Sequence, residues 1–239
     1  MSLTEDIQNI LHKDPAARSE LEILLCYPGV HAILIYRLAH KLYQEEWFTA
    51  ARFLSQIGRW LTGIEIHPGA LIGKRVLIDH GMGVVIGETA EVGDDCVLYQ
   101  GVTLGAGSDA RGGAETRGKK RHPTLGKGVI VGSGAEIQGP VIVGDHVRVA
   151  SGSIVLRDIP CDSVVVGVPG RVIYRDGKRV DEKVVPDIEA EALKSMKMRV
   201  DELERRIDEV SGTTGQRSSA KQDGEDEDPV DAFLHGAGI

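Results

Sequence analysis

From Ile66 to Val155 the chain counts in sixes. An aliphatic residue opens each hexad at Ile66, Ile72 and Ile78, then at Ile86, Val92, Leu98 and Leu104, and again from Leu125 through Val131, Ile137, Val143 and Val149 to Val155. The fifth member of each unit is usually small or β-branched, as at Ala70, Cys96, Val129 and Ser153. A short fixed period of this kind marks a parallel β-helix, in which no repeat can bury its own apolar face and each stacks on the next. The count fails twice. Ile78 to Ile86 is a step of eight, and Leu104 to Leu125 is a step of 21 where three hexads give 18. Each faulty stretch holds a histidine, His80 and His122. Breaks in a regular scaffold are where chemistry is expected.

Four segments follow from the pattern. Residues 1–63 read as a short helical domain, with Asp14-Pro15 as a helix start and Pro28-Gly29 as an interruption. In it, Leu34, Ile35, Leu38 and Leu42 recur at helical spacing, and Phe53, Leu54, Ile57, Trp60 and Leu61 share one helix face. Residues 64–175 are the β-helix. Residues 187–210 carry a heptad seam, Leu193, Met196, Val200, Leu203, Ile207 and Val210, read either as a helix packed on the solenoid or as a self-associating coiled coil. Residues 211–239 are polar, acidic and expected to be disordered. That segment holds six acids and two bases, half of the chain's net charge of −8, yet it ends in the apolar VDAFLHGAGI. An apolar patch closing an acidic tail suggests a peptide that docks on a partner. The fold class is therefore α+β.

Composition narrows the function. Thirty glycines suit tight solenoid corners. The acidic balance argues against nucleic acid as the main partner. The N-terminus has no basic-then-apolar leader and no apolar run spans a membrane, so a cytoplasmic location without membrane association is expected. Cys26, Cys96 and Cys161 form no metal or redox motif and read as buried small hydrophobes.

At the first break, His80 can act as a base near neutral pH if a carboxylate fixes its tautomer. Asp79, adjacent on a strand, would point to the opposite side. Glu65, nearly one coil earlier, is the better orienting candidate. The bland alternative is a polar residue at a corner. The second break runs from Ala106 to Thr124 with a local charge of +3, ending in Lys119-Lys120-Arg121-His122. It could grip a carboxylate or a phosphate, or be only a solvated basic loop. A three-histidine metal site from His67, His80, His122 and His146 is the weaker reading, since no close His spacing occurs; no metal is expected.

The stretches DPAARSE, HAILIYRLAHKL, EIHPGALIGKRVLIDHGMGVVIGETAEVG, VTLG, RHPTLGKGVIVGSGA and VVGVPGRVI, across roughly residues 14–173, resemble the serine O-acetyltransferases of the left-handed β-helix acyltransferase superfamily. The left hand comes only from that resemblance, because ordinary parallel crossovers are right-handed. The resemblance implies acetyl transfer from acetyl-CoA to the L-serine hydroxyl, the first step of cysteine biosynthesis, with feedback inhibition by cysteine. It implies His80 as general base and Glu65 as its orienting acid. Asp14 and Asp79 would meet the substrate ammonium, and Arg121 with His122 its carboxylate. Gly105, Ala106, Ser133 and Ser151 would lie along the pantetheine arm. It further implies a homotrimer with sites between β-helices, and a C-terminal Gly238-Ile239 that docks in O-acetylserine sulfhydrylase. With only 13 residues before Asp14, a trimer is expected rather than a hexamer. Rival readings are acetylation of a sugar or antibiotic, and a non-catalytic regulator of the sulfhydrylase.

Overall fold

A computed structural model describes residues 3–180 and 188–211. Each hexad forms a strand of about two residues and a turn, and the hexad opener is the inward-facing strand residue. All thirteen openers from Ile66 to Val155 are buried. So are the small fifth residues, including Ala70, Ala90 and Ala135 at 0% exposure. Small residues fit there because the lumen narrows at each corner, where a larger side chain would overpack it. Ser153, the one polar occupant of these positions, accepts the Gly167 N–H on Oγ at 3.1 Å.

The strands stack into three sheets, one per face of the coil. Face A holds β1 (Glu65–Ile66), β4 (Val85–Ile86), β7 (Thr103–Gly105), β10 (Glu136–Gln138) and β13 (Ile154–Val155). Face B holds β2 (Leu71–Ile72), β5 (Glu91–Val92), β8 (Thr124–Leu125) and β11 (Ile142–Val143). Face C begins with β3 (Leu77–Ile78), β6 (Val97–Leu98), β9 (Ile130–Val131) and β12 (Arg148–Val149), all parallel. It continues into β14 (Ser163–Val166), then turns antiparallel through β15 (Arg171–Arg175) and β16 (Lys178–Arg179).

Register measures the two breaks. A regular coil takes 18 residues, as from Glu136 to Ile154. Glu65 pairs with Val85, a coil of 20, so the first break inserts two residues. Thr103 pairs with Glu136, a coil of 33, so the second inserts 15. The second break is thus much larger than the three-residue excess read from the sequence. Leu104 lies on face A and Leu125 on the next face, B, so the ordinary step between them is six, not 18. The inserted segment includes a 3₁₀ stretch at Gly107–Thr116.

Four helices precede the coil: α1 (Leu3–Lys13), α2 (Glu20–Cys26), α3 (Pro28–Gln44) and α4 (Phe48–Thr62). Asp14 does not start a helix. It follows α1, and its Oδ1 accepts the Ala16 N–H at 2.8 Å, a local turn that competes with helix entry. Ser19 is the cap of α2, accepting from Glu22 N–H. Pro28 occupies the first turn of α3, where its missing N–H costs nothing. The inward face of α3 is Val30, Ala32, Ile33, Tyr36 and Ala39, while Leu38 points outward. On α4 the small residues Ala51, Ser55, Gly58 and Thr62 face inward, and Phe53, Ile57, Trp60 and Leu61 are exposed. The small face allows close approach: a Cβ on Gly58 would lie 3.0 Å from Ile35 Cγ2, and Ser55 Oγ donates to Ile66 O at 2.8 Å.

Of the cysteines, Cys96 alone is buried, whereas Cys26 and Cys161 are exposed. Cys26 ends the short α2 on its outer side, and Cys161 sits at a corner beyond the last regular coil. Residues Met1–Val180 form one compact unit; α5 (Ile188–Ser211) belongs to a second. On α5 the seam residues Met196, Val200, Leu203 and Ile207 are exposed, and Glu202 pairs with Arg205 and Arg206. The expected docking residues Gly238 and Ile239 lie outside the described residues.

Candidate active site

The sequence-predicted residues fall at two corners of the coil. His80 and Asp79 lie between β3 and β4, at the corner from face C to face A. Ser133, between β9 and β10, and Ser151, between β12 and β13, share that corner one coil after another. The corner is stitched along the axis by main-chain bonds: Gly101 N–H to Met82 O, Gly134 N–H to Gln100 O, and Gly152 N–H to Ser133 O, at 2.8–2.9 Å. Gly83, Gly101, Gly134 and Gly152 all sit at positive φ here, a conformation that disfavours any side chain. The result is a corner lined with glycine that runs away from His80.

His80 itself has φ 60°. Its ring is 74% exposed, and Nε2 lies 4.0 Å from Asp79 Oδ1. Asp79 therefore does not point away from His80: the left-handed turn breaks the strand alternation that would separate them. Glu65 is instead paired with Arg59 of α4 at 3.0 Å, because the left-handed Gly63 folds β1 back against the last turn of that helix. Among the described residues, the carboxylate within 4.0 Å of the His80 ring is that of Asp79. Asp14 joins this corner from the α1–α2 connection. The Tyr27 phenol donates to its Oδ2 at 2.5 Å. That bond, with the Ala16 N–H and the nearby His80, holds the Asp14 carboxyl below its ordinary pKa.

Arg121 and His122 lie at the other corner, between faces A and B, as do Gly105 and Ala106. Arg121 is held by Glu88 Oε2 through one guanidinium nitrogen. The Tyr43 phenol donates to Glu88 Oε1 at 3.0 Å. Burial favours the neutral acid, but the bonds from Arg121 and Tyr43 outweigh it and lower the Glu88 pKa. Among the described residues the other terminal nitrogen of Arg121, Nη1, is buried without a partner. It is a donor with an unmet need, suited to an incoming carboxylate. Lys120 is already paired with Glu91 at 2.8 Å, and the Thr89 carbonyl accepts its second bond.

His122 is buried, and desolvation, reinforced by Arg121, lowers its pKa to about 4. Its Nδ1 accepts the Thr89 N–H at 3.2 Å, so the neutral ring carries its proton on Nε2 and is a donor there. The ring lies across Gly87: a Cβ at that position would sit 2.0 Å from Cδ2. An open cleft of ≈ 300 Å³ borders Tyr43, Glu88, Thr89 and Lys120. Tyr27, Tyr43, Glu88 and Thr89 were not singled out from the sequence. Glu88 and Thr89 fall inside an otherwise regular hexad, and the tyrosines come from the helical segment, Tyr43 within α3 and Tyr27 just before it, with no periodic link to the coil.

The four histidines of the metal reading do not converge. His67 and His122 share the A–B corner, His80 is at C–A and His146 at B–C. Among the described residues no group of three ligating side chains is close enough to hold a metal, and no single helix is long and apolar enough to cross a membrane.

Comparison with known proteins places these corners in context. The family described as bacterial transferase hexapeptide (six repeats) matches residues 122–157. The serine acetyltransferase of Synechococcus elongatus is 46% identical over 253 residues, covering 100% of this chain and 99% of that protein. The crystal structure of Neisseria gonorrhoeae serine acetyltransferase in complex with serine is 37% identical with a TM-score of 0.65, over 71% of this chain and 66% of that one. A serine acetyltransferase complex with cysteine is 34% identical with a TM-score of 0.68, over 73% and 65%. The coil is thus a left-handed parallel β-helix.

Proposed function

The chain belongs to the serine acetyltransferase family, and on that premise we propose how its two corners perform the reaction. It is an acyltransferase that acetylates the hydroxyl of L-serine, giving O-acetyl-L-serine. The observation that carries this is the 46% identity spanning the whole chain. Acetyl-CoA is the donor, its pantetheine arm lying between Gly105 and Ala106 of one copy and Ser133 and Ser151 of its neighbour.

Serine binds as a zwitterion. Asp14 and Asp79 receive its ammonium group, while Arg121 and His122 receive its carboxylate. The spare Arg121 Nη1 and the His122 Nε2–H supply two donors for that carboxylate. His80 Nε2 takes the proton from the serine Oγ as that oxygen attacks the thioester carbonyl. Collapse of the tetrahedral oxyanion expels the coenzyme A thiolate, which the His80 imidazolium protonates. Asp79 stabilises that imidazolium from 4.0 Å, and Glu65, whose Oε2 pairs with Arg59, is the second carboxylate assigned to that role.

Within one chain the C–A and A–B corners lie on different edges of the coil, so a zwitterion held by both groups sits between two copies. A cyclic homotrimer provides this three times over. Cysteine differs from serine by one atom and engages the same charged groups, so it inhibits. The C-terminal Gly238-Ile239 docks in O-acetylserine sulfhydrylase, and the enzyme works in the cytoplasm.

The test is thiol release from acetyl-CoA with L-serine, homoserine, galactosides or no acceptor. L-Serine should be preferred, and His80→Ala should lower kcat by about 10²–10⁴ without changing the oligomer. A rate independent of serine would sink this reading.

A further inference from the structure

Asp14 follows α1 directly: its N–H donates to Ile10 O at 2.8 Å and its carbonyl accepts the Ala17 N–H at 3.1 Å, but within its own loop its carboxylate is met by the Ala16 N–H alone, among the described residues. Tyr27 supplies the second fixed point, from 13 residues along the chain. Tyr27 is the single residue between α2 and α3, and its N–H closes α2 by donating to Ile23 O at 3.2 Å. Two residues later, Gly29 presses on the coil so closely that a Cβ would lie 2.1 Å from Ile78 O. Ile78 is the residue before Asp79-His80. The phenol is therefore tied through a short rigid path to the corner that bears the base.

We propose that Tyr27 is a positioning residue for the substrate's ammonium group, acting through Asp14. This rests on reading Asp14 as an ammonium anchor. The phenol occupies Oδ2 and the Ala16 N–H occupies Oδ1, which leaves each oxygen one defined direction for a third donor. A carboxylate held at both oxygens presents its charge at a fixed place; one free to rotate does not. The charged neighbours explain why a neutral donor is needed. Asp14, Glu22 and Asp79 face the phenol, and His80 faces Asp14. Burial, then the bond to Asp14, pushes the Tyr27 pKa well above its ordinary value, so the phenol keeps its proton to donate. It relieves the crowding of three acids without adding a cation that would compete with the substrate for Asp14.

The test pairs Tyr27→Phe with Asp14→Asn and two ligands. L-Serine is the substrate. 3-Hydroxypropanoate, which keeps the hydroxyl and carboxylate but lacks the ammonium group, is the competitive inhibitor. Tyr27→Phe should raise the KM for serine about tenfold, with kcat within about threefold and the KM for acetyl-CoA and the Ki for 3-hydroxypropanoate unchanged. Equal weakening of both ligands would mean a merely structural role and would overturn the proposal, as would an unchanged serine KM. Asp14→Asn separates the two levels. If it leaves the serine KM alone, the anchor reading itself is wrong. If it raises the KM while Tyr27→Phe is silent, Tyr27 alone is excluded.

Discussion

At the scale of the residue, burial decides what His122 contributes. In the unfolded chain it titrates near 6.5; in the fold its pKa is about 4. Above pH 6.5 both states are neutral and stability is unaffected. As pH falls through 6.5 the unfolded state binds a proton that the fold refuses, so stability drops until about pH 4. Between pH 6.5 and 5 the loss is up to about 2 kcal/mol. His67, whose pKa burial likewise lowers to about 4, adds a slope of the same sign, so urea unfolding at pH 7.5, 6 and 5 should show a slope that His122→Gln reduces by about half; parallel slopes would show that His122 is not a source. His122 and Arg121 were legible as candidates because they end an interruption, and His80 because it begins one. Their partners were not legible. Thr89 and Glu88 reach them from the preceding coil, 33 residues away in sequence, and no local pattern encodes that neighbour. The Arg59 partner of Glu65 was equally illegible, because it arrives from α4 rather than from the coil.

At the scale of the element, the hexads forecast the coil well, since one aliphatic residue in six must face inward wherever two-residue strands stack. They could not say on which face a broken count resumes, and so the second insertion was undercounted. The structure makes this testable. Deleting residues 106–120 joins Gly105 to Arg121 and restores a step of six from Leu104 to Leu125. The coil should keep its far-UV spectrum and melt within a few degrees of the parent. The lost Lys120–Glu91 pair is exposed and worth about 0–1 kcal/mol. Serine KM should rise, because Arg121 loses the backbone path that sets it against Glu88. A molten or aggregated product would show that the insertion carries part of the core. The helices were less legible than the coil. α4 reads as amphipathic with its large residues inward, yet the close contact of Gly58 and Ser55 with their neighbours selects the small face.

At the scale of the whole molecule, the separation of the two corners predicts complementation. His80→Ala and Arg121→Ala should each be nearly inactive alone. Mixed by co-refolding into random trimers, they should regain about a quarter of the parental activity, because one interface in four pairs an intact His80 with an intact Arg121 from the neighbour. Recovery of nothing would place both residues in a site within one chain.

The antiparallel turn at the end of face C has a consequence for solubility. A stack of parallel strands exposes, at its last rung, the same unpaired main chain that recruits further strands in fibrils. Here β14 is followed by a strand running the other way, and the final edge, β16, is only Lys178-Arg179. Reversal of direction spoils the template for another parallel rung, and two adjacent positive charges repel a second molecule's identical edge. Among the described residues the hairpin acts as a full stop on face C, replacing the next parallel rung with a short, charged, reversed edge.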